Sequence, residues 1–139
     1  MKVLDSLKHE VIKIMDNDPA HDFEHVMRVY NNAKKISKQE KANQKLVLSA
    51  ALLHDIVSYP KSSKRSKFSS IDSAKKSKSI LKKYDFTTEE IIIIFDAIVD
   101  HSFSQNKIPQ TLEGKILQDA DRLDALGSIG IARVFATSG

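Results

Sequence analysis

Apolar residues recur along this chain at intervals of three and four, the period of a helix face turned toward a core. Val3, Leu4, Leu7, Val11, Ile14 and Met15 set the first stripe, and "NDPA" at residues 17–20 predicts its end. Asp22 then stands where an N-cap belongs, ahead of a second stripe made by Phe23, Val26, Val29, Tyr30, Ala33 and Ile36. "KQEKAN" is a polar break. A third helix is predicted from Gln44 to Val57, around the nearly continuous apolar run "VLSAALLHDIV".

Residues 58–70, "SYPKSSKRSKFSS", read as a loop because of Pro60 and the clustered serines. The next stretch, "IDSAKKSKSILKKYD", predicts a basic amphipathic helix with Ile71, Ala74, Ile80 and Leu81 facing inward. Four consecutive isoleucines, Ile91–Ile94, favour a strand by propensity. Thr87 and Glu90 nonetheless have the spacing of a capping box, and no second strand is available for pairing, so this stretch is also predicted helical. "SQNKIPQ" is a turn. The last helix, "TLEGKILQDADRLDAL", leads through Gly127 and Gly130 into "IARVFATSG". The fold expected is all-α, a single domain of about six or seven helices over residues 1–139. Its last segment is still apolar where the chain stops, so a piece of a longer protein is an expectation too.

Composition agrees with this reading. The 139 residues are 41% hydrophobic, with no Trp and only 4 Gly and 3 Pro. The absence of Cys excludes disulfides and thiolate metal sites. The N-terminus has charges spread through it, unlike a signal peptide, and no apolar run reaches the roughly 20 residues a bilayer span needs. A cytoplasmic protein without a membrane partner is the default expectation. The net charge of +4 is mild, and much of it sits in "KSSKRSK" and "KKSKSILKK". It permits anionic partners without demanding nucleic acid, and the basic runs lack interleaved aromatics and a recognisable recognition helix.

The chemistry lies in the histidines and aspartates. His54 and Asp55 close an apolar helix, where titratable residues are rare without a partner. Singly, such a pair reads as a buried His–Asp hydrogen bond. His25 lies on the second predicted helix, and Asp119, Asp121 and Asp124 lie on the last. One further His and one further Asp, brought to the doublet by packed helices, would give a divalent cation four protein ligands. Without Cys, that donor set suits Mn, Fe, Ni, Mg or Zn. His21 and His25 form an i, i+4 pair, but in "HDFEH", not in the "HExxH" order of zinc proteases. Asp119 and Asp121 point about 200° apart on a helix, so both cannot face one ion. Asp121 shares its face with Leu117, Asp124 and Ala125.

Together, "HDFEHVMRVYNNA", "LLHDI" and "ILQDADRLDALGSIGIARVF" resemble the HD-domain superfamily of metal-dependent phosphohydrolases, in its small bacterial and archaeal branch. The resemblance covers roughly residues 20–135. It implies one divalent metal ion held by His25, His54, Asp55 and Asp121, and hydrolysis of a phosphorylated small molecule such as a nucleotide, with Asp55 catalytic as well. Asp119 is then a solvated residue or an acceptor behind a ligand histidine. His101, which some HD families match with an extra His, is a candidate catalytic residue; its alternative is a helix-end His bonded to a carboxylate. His21, Arg28, Lys61, Lys64 and Arg65 are candidates for substrate binding. Arg28 has the alternative of an ion pair with Glu24, and Arg122 one of pairing with Asp119 or Asp124. Lys61, Lys64, Arg65 and Lys67 are placed to recruit polyphosphate near the metal, and the alternative for this stretch is a solvated loop. The chain departs from many relatives after the doublet, where "VSYPKSSKRSK" stands in place of further acidic or Gly residues. That leaves two other readings: an HD domain that binds metal and nucleotide without turnover, and a basic helical nucleic-acid binder.

Overall fold

In the computed structural model, residues 2–16, 22–60, 62–102 and 108–138 are described, with side chains as far as residue 126. The break at 17–20, most of the turn "SQNKIPQ", His21 and Lys61 lie outside the described residues. Six α-helices follow one another: α1 Lys2–Asp16, α2 Phe23–Glu40, α3 Gln44–Leu53, α4 Ser69–Leu81, α5 Thr88–Asp100 and α6 Leu112–Ser138. A 3-10 helix at Lys64–Phe68 precedes α4, and the described residues contain no β-strand.

The centre of the bundle is α3. Every residue from Leu46 to Leu53 is buried, as a helix apolar on all sides must be. It packs against α1, α2, α4, α5 and α6. The outer helices are amphipathic and turn one stripe inward: Leu4, Leu7, Val11 and Met15 from α1, and Val26, Val29 and Ala33 from α2. The isoleucine run is resolved by its cap. Thr87 accepts from the Glu90 amide while the Glu90 carboxylate accepts from the Thr87 amide, which starts α5. Helical geometry then distributes the run, so Ile91 and Ile94 are buried and Ile92 is half exposed. Against this helix, α6 comes close at Gly114, where an added Cβ would lie 3.1 Å from Pro109 and 3.5 Å from the Ala97 Cα.

Three boundaries differ from the sequence reading. Helix α3 ends at Leu53, not Val57, so His54 and Asp55 sit in the turn beyond it. The cause is local: the His54 ring bonds back to the Ala51 carbonyl and closes the last turn. The stretch 58–70 is not wholly loop. Ser63 caps the 3-10 helix by accepting from the Arg65 amide, and the chain before it is pinned to α4. Ser73 Oγ accepts from the Val57 amide and donates to the Val57 carbonyl, and the Tyr59 hydroxyl donates to Asp72 at 2.6 Å. Finally, α6 runs through Gly127 and Gly130 without a break. None of the described helices is long and apolar enough to cross a membrane.

Candidate metal centre

Three helices bring His25, His54 and Asp121 together. Asp22 caps α2 by accepting from the His25 amide, which puts His25 in the first turn, facing α6. His54 is the C-cap of α3. Asp121 lies on α6, one residue after the buried Ala120. One potential ligand atom from each of the three lies within 4.8 Å of the others. Asp119 is exposed on a different face of the same helix, beside Arg122, Leu123 and Leu126.

The hydrogen bonds decide which ring nitrogens are available. His54 Nδ1 donates to the Ala51 carbonyl at 2.6 Å, so Nε2 carries the lone pair. That Nε2 is buried and has no hydrogen-bond partner. A buried polar atom left unpaired is costly, and a cation would satisfy it. His101 repeats the arrangement at the end of α5, its Nδ1 donating to the Ile98 carbonyl and not to a carboxylate. The His54 and His101 rings meet edge to face at 5.1 Å, and those of His25 and His54 at 5.6 Å.

His25 stands between two carboxylates. Its Nε2 is 3.2 Å from Asp121 Oδ1, and its Nδ1 is 2.7 Å from Asp124 Oδ2. The Asp121 hydrogen bond outweighs burial and, with Asp124, raises the His25 pKa to about 9. Burial pushes the Asp121 carboxyl up, yet the His25 bond and the surrounding imidazoles hold it below its usual value. Burial is the main cause that lowers His101 to about 4, with His54 adding to it, so at neutral pH His101 is neutral. Its Nε2 is then an acceptor. The donor set of two imidazoles and a carboxylate, with one orphaned ring nitrogen, fits a divalent cation.

A cavity of about 610 Å³ opens on this cluster, lined by Asp55, His101 and Asp121 together with Tyr59, Lys67 and several serines. Asp55 is not part of the three-residue group. It lines the cavity next to Asp121, close enough for its charge to act on His25. Arg28 does not pair with Glu24; its Nε donates to Asp124 Oδ1 at 2.7 Å. Lys64 and Arg65 are exposed and do not line the cavity, with Arg65 lying over the Tyr59 ring. Lys67, from the same basic stretch, does line it. For Asp124 the sequence offers only a pairing with Arg122, not a contact with His25. The signal was its i+3 spacing from Asp121, which places both on one face of α6.

The sequence profile of the HD domain matches residues 22–126. The chain is 36% identical over 132 residues to the Bacillus subtilis protein YpgQ, covering 91% of this chain and 61% of YpgQ. Its fold matches a predicted HD-superfamily hydrolase from an uncultured Thermotogales bacterium, at 35% identity and a TM-score of 0.70, over 99% of this chain and 75% of that one. It also matches an HD-superfamily hydrolase from Bacillus thuringiensis, at 34% identity and a TM-score of 0.73, over 99% and 65% of the two chains. The crystal structure of YpgQ in complex with ADP aligns at 30% identity and a TM-score of 0.69, over 99% and 66%. By the profile match and by these relatives, the chain belongs to the HD-domain family.

Proposed function

We propose that this protein is a divalent-metal-dependent phosphohydrolase acting on a nucleotide or a related phosphate ester or anhydride. The observation that carries the reading is the unpartnered, buried Nε2 of His54, facing His25 and Asp121. His25, His54 and Asp121 hold the cation, and Asp55 adds the fourth protein ligand from the cavity wall. A bound divalent cation acidifies water and polarises a phosphoryl oxygen. His101, neutral and with Nδ1 committed to the backbone, would use Nε2 as a hydrogen-bond acceptor that orients the attacking water. That YpgQ crystallises with ADP supports a nucleotide as substrate.

Lys67 brings positive charge to the cavity that Asp55, His101 and Asp121 line. Of the four basic residues that the sequence offers for phosphate, Lys61 lies outside the described residues and Lys64 and Arg65 do not line the cavity. Lys67→Ala is expected to raise KM about tenfold with a smaller change in kcat, since a charge that holds the phosphate equally before and during reaction contributes uniform binding. Lys64→Ala should be near wild type. Steady-state kinetics on both variants checks this, and an unchanged KM for Lys67→Ala would remove the assignment.

The pKa values predict a stability optimum for the metal-free protein. His25 is raised to about 9 from 6.5, so its stabilising contribution is complete below 6.5 and is lost as pH rises through 9. His101 is depressed from 6.5 to about 4, so its contribution is complete above 6.5 and is lost as pH falls through 4. Tm in chelator should therefore peak near pH 6.5 and fall on both sides. A cation that takes the His25 lone pair competes with the proton, so metal affinity should rise with pH up to about 9. Melting curves across pH, with and without Mn²⁺, test both statements.

The experiment for the proposed activity is a screen of Mn²⁺-reconstituted protein against nucleotides and phosphate esters, with products identified. Release of phosphate or pyrophosphate that stops on chelation is expected. Metal-bound protein that binds nucleotide and releases nothing would make the domain a binding module.

A further inference from the structure

Asp124 makes two short contacts that the proposed chemistry does not use. Its Oδ2 lies 2.7 Å from His25 Nδ1, and its Oδ1 accepts from Arg28 Nε at 2.7 Å. The carboxylate thus spans two residues one turn apart on α2 and ties that helix to α6. Its side chain is 10% exposed, far less open than the guanidinium it meets. It is not one of the three residues whose ligand atoms cluster. It approaches His25 on the Nδ1 side, while Asp121 is on the Nε2 side.

We propose that Asp124 is a positioning residue that holds the His25 ring with Nε2 toward the metal centre, and that Arg28 holds Asp124. This rests on the reading of the cluster as a metal site. An imidazole that ligates through Nε2 must keep its remaining proton on Nδ1. A carboxylate fixed at hydrogen-bond distance from Nδ1 selects that tautomer and that ring rotation, and makes the opposite nitrogen a better donor. His54 and His101 obtain the same orientation from backbone carbonyls at helix ends. His25 stands in the first turn of its helix, where the neighbouring carbonyls are engaged within α2. Its acceptor has to come from another element, and Asp124 on α6 supplies it. Arg28 fixes the second oxygen, so the carboxylate cannot turn away.

The test is calorimetric titration of Mn²⁺ into wild type, Asp124→Asn, Asp124→Ala and Arg28→Met, with melting curves of each in chelator. Loss of an orienting partner typically weakens metal binding about 10–100-fold. Asp124→Ala is expected in that range. Asp124→Asn keeps an acceptor oxygen of the same shape and should recover part of the loss. Arg28→Met frees the second oxygen of Asp124 and should weaken Mn²⁺ binding too, by less than Asp124→Ala because the Asp124–His25 contact can still form; wild-type affinity in Arg28→Met would remove Arg28 from the proposal. Wild-type affinity in both Asp124 variants, with Tm lowered alike in chelator and in Mn²⁺, would make Asp124 a structural ion-pair partner only. A wild-type protein that takes up no Mn²⁺ would overturn the metal reading itself, and the positioning role with it.

Discussion

His54→Ala is expected to abolish Mn²⁺-dependent hydrolysis, lowering kcat/KM by at least about a thousandfold, on the order of 4 kcal/mol of transition-state stabilisation. The side chain has two jobs that can be separated. Its Nδ1 closes the last turn of α3 on Ala51, and its Nε2 faces the centre without a partner. Truncation leaves the buried Ala51 carbonyl without its partner, a stability cost of about 1–3 kcal/mol, and opens a void, but it also removes the orphaned nitrogen. The metal-free protein should thus lose some Tm, while the Tm gained on adding Mn²⁺ disappears altogether. His101→Ala supplies the contrast. It removes the same kind of backbone contact and an imidazole that lines the cavity, so it should lower kcat by about 10²–10⁴ while Mn²⁺ affinity stays largely intact. Kinetics and melting curves on both variants read this directly. Hydrolysis by His54→Ala at the wild-type rate would be incompatible with the proposed centre.

Asp55→Ala is the second variant with a large expected effect, and here activity and stability move apart. Asp55 and Asp121 line one cavity, so two carboxylates share it in the metal-free protein, while the Asp55 charge also favours protonated His25. The two effects oppose each other. Removing Asp55 should leave the metal-free protein about as stable as before. The His54 ring already has its hydrogen bond to Ala51, so no contact of that ring depends on Asp55. In Mn²⁺ the outcome differs. A ligand that binds only the native state stabilises it by about 2.7 kcal/mol at a hundredfold excess over Kd, several degrees of Tm in a chain of this size. The wild type should show that rise and Asp55→Ala should not. Equal destabilisation of the variant in chelator and in Mn²⁺ would make Asp55 a structural residue.

The helices were legible because burial follows the 3.6-residue period. Even Ile91–Ile94, whose propensity points to a strand, was readable, since Thr87 and Glu90 announce a helix start and the tertiary core accepts every third or fourth residue. The His54–Asp55 doublet, His25 and Asp121 carried the family signature in the chain itself. Other features depend on contacts between distant residues. Beyond the local bond from His54 to Ala51, the chain after α3 is held by the Val57–Ser73 pairing, which the apolar run does not report. Whether Lys64, Arg65 or Lys67 reaches the cavity depends on the 3-10 helix that Ser63 starts and on the Tyr59–Asp72 bond that pins the preceding chain. Arg28 looked like the partner of Glu24 on its own helix, yet Asp124, 96 positions away, takes it.

The central claim is a cation held by His25, His54 and Asp121, with Asp55 as the fourth protein ligand. Anomalous scattering at the manganese edge from crystals grown in Mn²⁺ tests it most directly. A single peak is predicted about 2.0–2.4 Å from the Nε2 atoms of His25 and His54 and from the Asp121 carboxylate. A well-occupied ion elsewhere on the protein, with His54 Nε2 still facing no ligand, would contradict it.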